Sequence, residues 1–109
     1  MNYFHKEIIE KWQNYSIFEQ MANIGAEVGR AINWNKKHNF EMSTNAFYRA
    51  LELIDLTVED KKNKNSLKEI LRLRELIGDY FIGKNIYHSD EKFWEKYFYP
   101  FNLAARKDV

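Results

Sequence analysis

Arg30, Trp34 and His38 stand at four-residue steps, with Asn33 and Lys37 on the same flank. On a helix that spacing lays a guanidinium, an indole and an imidazole along one stripe. Such a row can receive an anion, a nucleotide base or a partner's carboxylate. Cations near a helix C-terminus are also favoured by the helix dipole with no ligand at all.

Arg49 lies between Ala46, Ala50 and Leu53, in a stretch whose apolar content predicts burial. A buried arginine needs a carboxylate, because an unpaired buried charge is very costly. Glu27, Glu52, Glu75 and Asp79 are the candidates, and a structural ion pair is the expectation. Arg72 and Arg74, with Glu69, Glu75 and Asp79, form a second charged cluster on an otherwise apolar helix. His88, Asp90 and Glu91 bring an imidazole near two carboxylates, but a helix start explains the acidic pair. There is no Glu-x-x-His pair, which the carboxylate-bridged di-metal bundles require twice. No catalytic residue, metal ligand or cofactor is assigned.

The elements that position these residues read as helices opened by capping signatures. Ser16-Ile17-Phe18-Glu19, Ser66-Leu67-Lys68-Glu69 and Ser89-Asp90-Glu91 each offer an oxygen to the orphan N–H groups of a first turn. The first helix is expected over Tyr3–Tyr15 and the second over Ile17–His38, with a stripe of Phe18, Met21, Ala22, Gly25, Val28 and Ile32. Glycine in a helix interior costs about 1 kcal/mol relative to alanine, so Gly25 and Gly29 predict close approach by a neighbouring backbone. A third, central helix runs from Phe40 or Ser43 to Thr57. The polar Lys61–Asn65 stretch reads as a solvated linker. A fourth helix starts after Ser66 and stops at a left-handed Gly83. The fifth bends or breaks at Pro100, the sole proline. The expected fold is all-α, an antiparallel up-and-down bundle of four to five helices in one domain, 1–109.

Composition bounds the rest. Hydrophobic residues make up 45% of 109, enough to bury a core without staples. No cysteine is present, so disulfides and thiolate metal sites are excluded. Basic against acidic residues number 6 against 6 over 1–54 and 11 against 10 over 55–109, so neither half is a basic arm. No run of apolar residues is long enough for a membrane span, and the start of the chain does not read as a signal peptide. A cytoplasmic location is expected, with no membrane partner.

Leu73-Arg74-Glu75-Leu76-Ile77-Gly78-Asp79-Tyr80-Phe81 resembles the late helix of the HEPN superfamily. These are small helical bundles that often dimerise and include RNA-cutting toxins and nucleotide-binding partners of nucleotidyltransferases. Arg74 takes the family's arginine slot and Tyr80 its aromatic one. The family's histidine is missing, since Asp79, Tyr80 and Phe81 occupy its window and the next histidine is His88. The resemblance therefore implies a bundle without the family's nuclease pair. The chain is also similar to small all-helical proteins of archaea and bacteria, through Phe47-Tyr48-Arg49-Ala50-Leu51-Glu52-Leu53 and Arg72-Leu73-Arg74-Glu75-Leu76.

Two functions follow as expectations. The first is a non-enzymatic helical interaction module, a homo-oligomer or a subunit of a larger complex, with Tyr97, Phe98, Tyr99 and Phe101 as a partner surface. The alternative is a HEPN-like bundle that binds RNA or another nucleic acid, or partners a nucleotidyltransferase or toxin, using Arg30, Trp34, Lys37, His38, Arg49 and Arg74.

Overall fold

Ser16 opens the second helix as its neighbours dictate. Its hydroxyl accepts from the Glu19 N–H at 3.1 Å, and the Glu19 carboxylate accepts from the Ser16 N–H at 3.1 Å. This reciprocal cap satisfies two orphan donors and sets the corner between α1 (Lys6–Asn14) and α2 (Ile17–Lys36). A computed structural model describes the backbone of residues 6–107 and the side chains of residues 8–107. The expected Tyr3–His5 start of α1 lies outside them.

After α2 come α3 (Phe40–Glu59), a 3-10 helix (Lys61–Ser66), α4 (Leu67–Phe81) and α5 (Glu91–Lys107), with no strand among the described residues. The fold is all-α. Among the described residues no helix is long and apolar enough to cross a membrane. Helix α3 is central as expected, packing against α1, α2, α4 and the 3-10 helix, while α5 lies against α2.

Helix α2 ends two residues earlier than expected, and His38 is the reason. Its φ is 60°, its N–H donates to Asn35 O, and the Asn39 N–H reaches back to Trp34 O at 2.9 Å. That is a left-handed helix stop built on a histidine instead of glycine. Asn39 then caps α3, its side chain accepting from the Met42 N–H.

Several local expectations are overturned. Ser66 makes no cap hydrogen bond, because the 3-10 helix runs directly into α4 and supplies backbone partners in its place. Ser89 is not the cap of α5 either: Asp90, one residue on, accepts from the Phe93 N–H at 2.8 Å, and Ser89 is buried. Gly83 is not left-handed. A Cβ there would meet the Asp79 backbone at 3.0 Å, so glycine serves close approach. Helix α5 does not break at Pro100 but continues through it. Proline removes one ladder bond at a cost of about 3 kcal/mol, and Phe98 and Phe101 pack against the core on either side of it.

Of the expected stripe, Met21, Val28 and Ile32 are buried, and the buried face of α2 also takes in Ile24 and Ala31, while Ala22 and Gly25 are only half-buried. Phe18 is exposed. The core joins Trp12, Met21, Ile24 and Val28 to Phe47, Ala50, Ile54, Ile70, Leu73, Ile77, Trp94 and Phe98.

The Lys61–Asn65 stretch is not a solvated linker. Asn63, 4% exposed, donates to Gln20 Oε1 at 2.8 Å and to Thr57 O at 3.0 Å. Gln20, wholly buried, donates to Trp12 O and to Asp60 Oδ2, both at 2.9 Å. Trp12 Nε1 donates to Thr57 Oγ1 at 3.1 Å. These bonds tie α1, α2, α3 and the 3-10 helix together, and every side chain in the chain of bonds has a partner, which makes the burial tolerable. Burial opposes ionisation of Asp60, yet hydrogen bonds from Lys62 and Gln20 outweigh it and hold its carboxyl below the usual range.

Candidate functional site

In the α2 stripe Arg30, Lys37 and His38 are exposed and Trp34 is half-buried, and each is engaged locally. Arg30 is 64% exposed and its guanidinium donates to Glu27 at 2.6 Å. Glu27 was a candidate partner of Arg49; its neighbour one helical turn away takes it instead. Lys37 Nζ lies 5.3 Å from the centre of the half-buried Trp34 ring. His38, besides ending the helix, packs edge-on to Phe40 at 5.9 Å.

Arg49 is exposed, contrary to expectation, and has no ion pair or hydrogen bond among the described residues. Helix α3 buries Ala46, Phe47 and Ala50 but leaves Tyr48 and Arg49 in solvent, so its apolar stripe is narrower than its composition implied. Arg74 also reaches solvent, donating from Nε to Asp55 on α3 at 3.0 Å. No hydrogen bond, ion pair or ring contact among the described residues joins Arg49 or Arg74 to the α2 stripe. Among the six sequence-selected residues the interaction seen is that of Lys37 with the Trp34 ring.

The expected aromatic surface on α5 is mostly consumed by the core. Phe98 is buried, and Tyr97 and Phe101 pack against the core. Burial pushes the Tyr97 hydroxyl up to about 12, helped by the charge and hydrogen bonding of Glu69. Tyr99 alone of the four is well exposed.

Exposed apolar side chains gather elsewhere. Phe40, Tyr48 and Ile82 are 58%, 53% and 68% exposed and line one depression of about 390 Å³ whose base includes Phe47 and Phe81. Phe40 and Tyr48 come from α3; Ile82 follows the end of α4. The sequence signal was present in Phe40, which begins a helix instead of completing a stripe, and in Ile82, which lies past the last turn.

A second depression, about 450 Å³, lies between α2 and α5. Ala22, Ala26 and Gly29 form part of its floor, Trp94, Phe98 and Tyr99 part of its wall, and Asn33, Glu91, Glu95 and Asn102 are polar residues lining it. The run of small residues on α2 was expected to bring a neighbouring backbone close; at Gly29 it leaves open space instead. No group of three or more His, Asp or Glu among the described residues is placed to hold a metal ion. Comparison with known protein families, curated proteins and solved structures finds no match.

Proposed function

We infer that the chain is a non-enzymatic, cytoplasmic helical interaction module, an antiparallel up-and-down bundle that pairs with a second copy of itself. The carrying observation is the cluster of Phe40, Tyr48 and Ile82, three large apolar side chains each more than half exposed around one depression. Aromatic residues are enriched in the centres of interfaces, where they bury much area at small entropic cost. A formal net charge of +1 leaves little repulsion between copies. A two-fold pairing would set each copy's Ile82 against its partner's aromatic rim. The antiparallel arrangement is supported by the three-residue connection between α2 and α3, too short for anything but a reversal when those helices pack together.

Sedimentation equilibrium tests this directly. The expected result is a dimer at tens of micromolar that Ile82→Glu converts to a folded monomer. A wild-type monomer at that concentration overturns the reading.

The HEPN-like reading comes second, supported by the exposed Arg30 and by Lys37 lying across Trp34. Its expected signature is RNA binding that weakens steeply with salt through counterion release. Absence of binding at low salt removes it.

A further inference from the structure

The chain places opposite charges beside the two halves of the Phe40–Tyr48–Ile82 face. On α3, Glu41, Tyr48 and Glu52 stand at seven- and four-residue steps, so two carboxylates flank the aromatic rim along one side of the helix. At the end of α4, Lys84 follows Ile82 by two residues, within roughly 7 Å of it along the backbone. Glu41 and Lys84 are exposed, Glu52 is half-buried, and none of the three has an ion pair or hydrogen bond among the described residues. The cations at the end of α2, by contrast, are engaged: Lys36 with Glu91 at 3.2 Å, and Lys37 with the Trp34 ring. Arg49 is one residue on from Tyr48 and so turns about 100° away from it around α3.

Symmetry converts this arrangement into a choice of pairing. In a two-fold dimer a residue off the axis meets a different residue of the partner, and the contact is made twice. Setting Ile82 on the partner's Tyr48 carries Lys84 toward the carboxylates beside that ring. Laying α3 on the partner's α3 would instead bring both copies of Glu41 and Glu52 together, and like charges oppose each other across an interface.

We propose that Lys84 of each copy pairs with the partner's Glu41 and Glu52, and that these charges fix which halves of the face meet. The inference rests on the self-pairing reading above and deepens it. The apolar face supplies the affinity, while the charges supply orientation and closure.

The test uses full chains with reversed charges, Lys84→Glu in one and Glu41→Lys with Glu52→Lys in the other, followed by sedimentation equilibrium at low salt. Each variant alone opposes like charges at both contacts, so its self-association is expected to weaken about tenfold or more. An equimolar mixture of the two restores a dimer of near wild-type strength, because both contacts of the mixed pair are attractive again. Added salt weakens the wild-type dimer by screening and strengthens the Lys84→Glu dimer. That difference in sign decides the matter should the doubly reversed α3 not fold. Variants that dimerise as the wild type does, or a mixture no stronger than its components, sink the charge pairing, while a wild-type dimer broken by Ile82→Glu keeps the face. A mixture that assembles beyond a dimer sinks the two-fold closure. A wild-type monomer removes the self-pairing reading and this inference with it.

Discussion

The ring of Phe98 reaches to 2.7 Å from the point where a Cβ on Gly25 would stand, while the same construction on Gly29, one turn along α2, meets nothing within 4 Å. Two glycines alike in sequence thus have opposite roles. Gly25→Ala must displace a buried aromatic ring and is expected to destabilise the fold by about 1–3 kcal/mol. Gly29→Ala adds a methyl group into open space and is expected to stabilise by up to about 1 kcal/mol through helix propensity. Urea denaturation of the two variants decides it: equal effects, or a reversed order, would place the α2–α5 contact elsewhere.

Gln20 is the hub of the buried network, donating to Trp12 O and Asp60 and accepting from Asn63. Gln20→Leu keeps much of the volume but removes three buried hydrogen bonds, while Trp12 O, Asp60 and Asn63 each keep one other partner, in the Tyr15 N–H, Lys62 and Thr57 O. Each lost bond is worth about 0.5–1.5 kcal/mol, so the expected loss is about 2–4 kcal/mol. A smaller loss would mean that water enters the network and replaces the amide.

Arg49 was expected to be a buried member of an ion pair and is a solvent-exposed side chain with no partner among the described residues. Arg49→Met is therefore expected to change stability by less than about 0.5 kcal/mol. A double-mutant cycle with Glu27 should show no coupling beyond about 0.5 kcal/mol, because Glu27 is bonded to Arg30. A larger coupling energy would restore the structural pair.

Helix identity was legible because it rests on local signals. The Ser16–Glu19 cap and the three- and four-residue apolar spacing of α3 and α4 need only neighbours in sequence. What failed depends on distant partners. The buried face of α2 takes in Ile24 and Ala31 beside the expected Met21, Val28 and Ile32, and Asn63 is buried because Gln20, 43 positions away, accepts its hydrogen bond. Gly83 was expected to be left-handed and instead provides space beside Asp79, while the left-handed positions fall on His38, Asn85 and His88. The candidate site was legible only in part. The small residues of α2 were expected to admit a neighbouring backbone; the Phe98 side chain approaches Gly25 instead, Gly29 faces open space, and nothing local indicated that α5 would wall a groove there or that Ile82 would join Phe40 and Tyr48.

Asp60 links this fold to pH. Its carboxyl is held below the ordinary value of 3.8, so the folded state favours the ionised form more than the unfolded state does. The stability this contributes is fully present above the unfolded value and is lost as pH falls through the folded one. Thermal melts should therefore show a drop in midpoint below about pH 4 that is shallower in Asp60→Asn, which is already less stable at neutral pH. Parallel acid profiles for the two proteins would assign the drop to other carboxylates.

Asp79 anchors the connection between α4 and α5, a segment with two left-handed residues, Asn85 and His88. Its carboxylate accepts from the Ile86 N–H at 2.9 Å and from the Tyr87 N–H at 3.1 Å, one on each oxygen. Asn at this position keeps one acceptor and turns an amine toward the other N–H, so Asp79→Asn loses one bond and adds a donor–donor clash. Tyr87→Phe removes only the hydroxyl that donates to Glu75 at 2.7 Å. Both contacts are exposed, so the losses are modest: about 1–2 kcal/mol for Asp79→Asn and about 0.5 kcal/mol for Tyr87→Phe. The sharper readout is local. Amide exchange at Ile86 and Tyr87 should accelerate at least tenfold in Asp79→Asn, matching about 1.4 kcal/mol of lost local protection, while exchange in the α3 core changes only by the global loss. Uniform acceleration across the chain would show that the connection unfolds with the whole protein and that Asp79 has no separate hold on it.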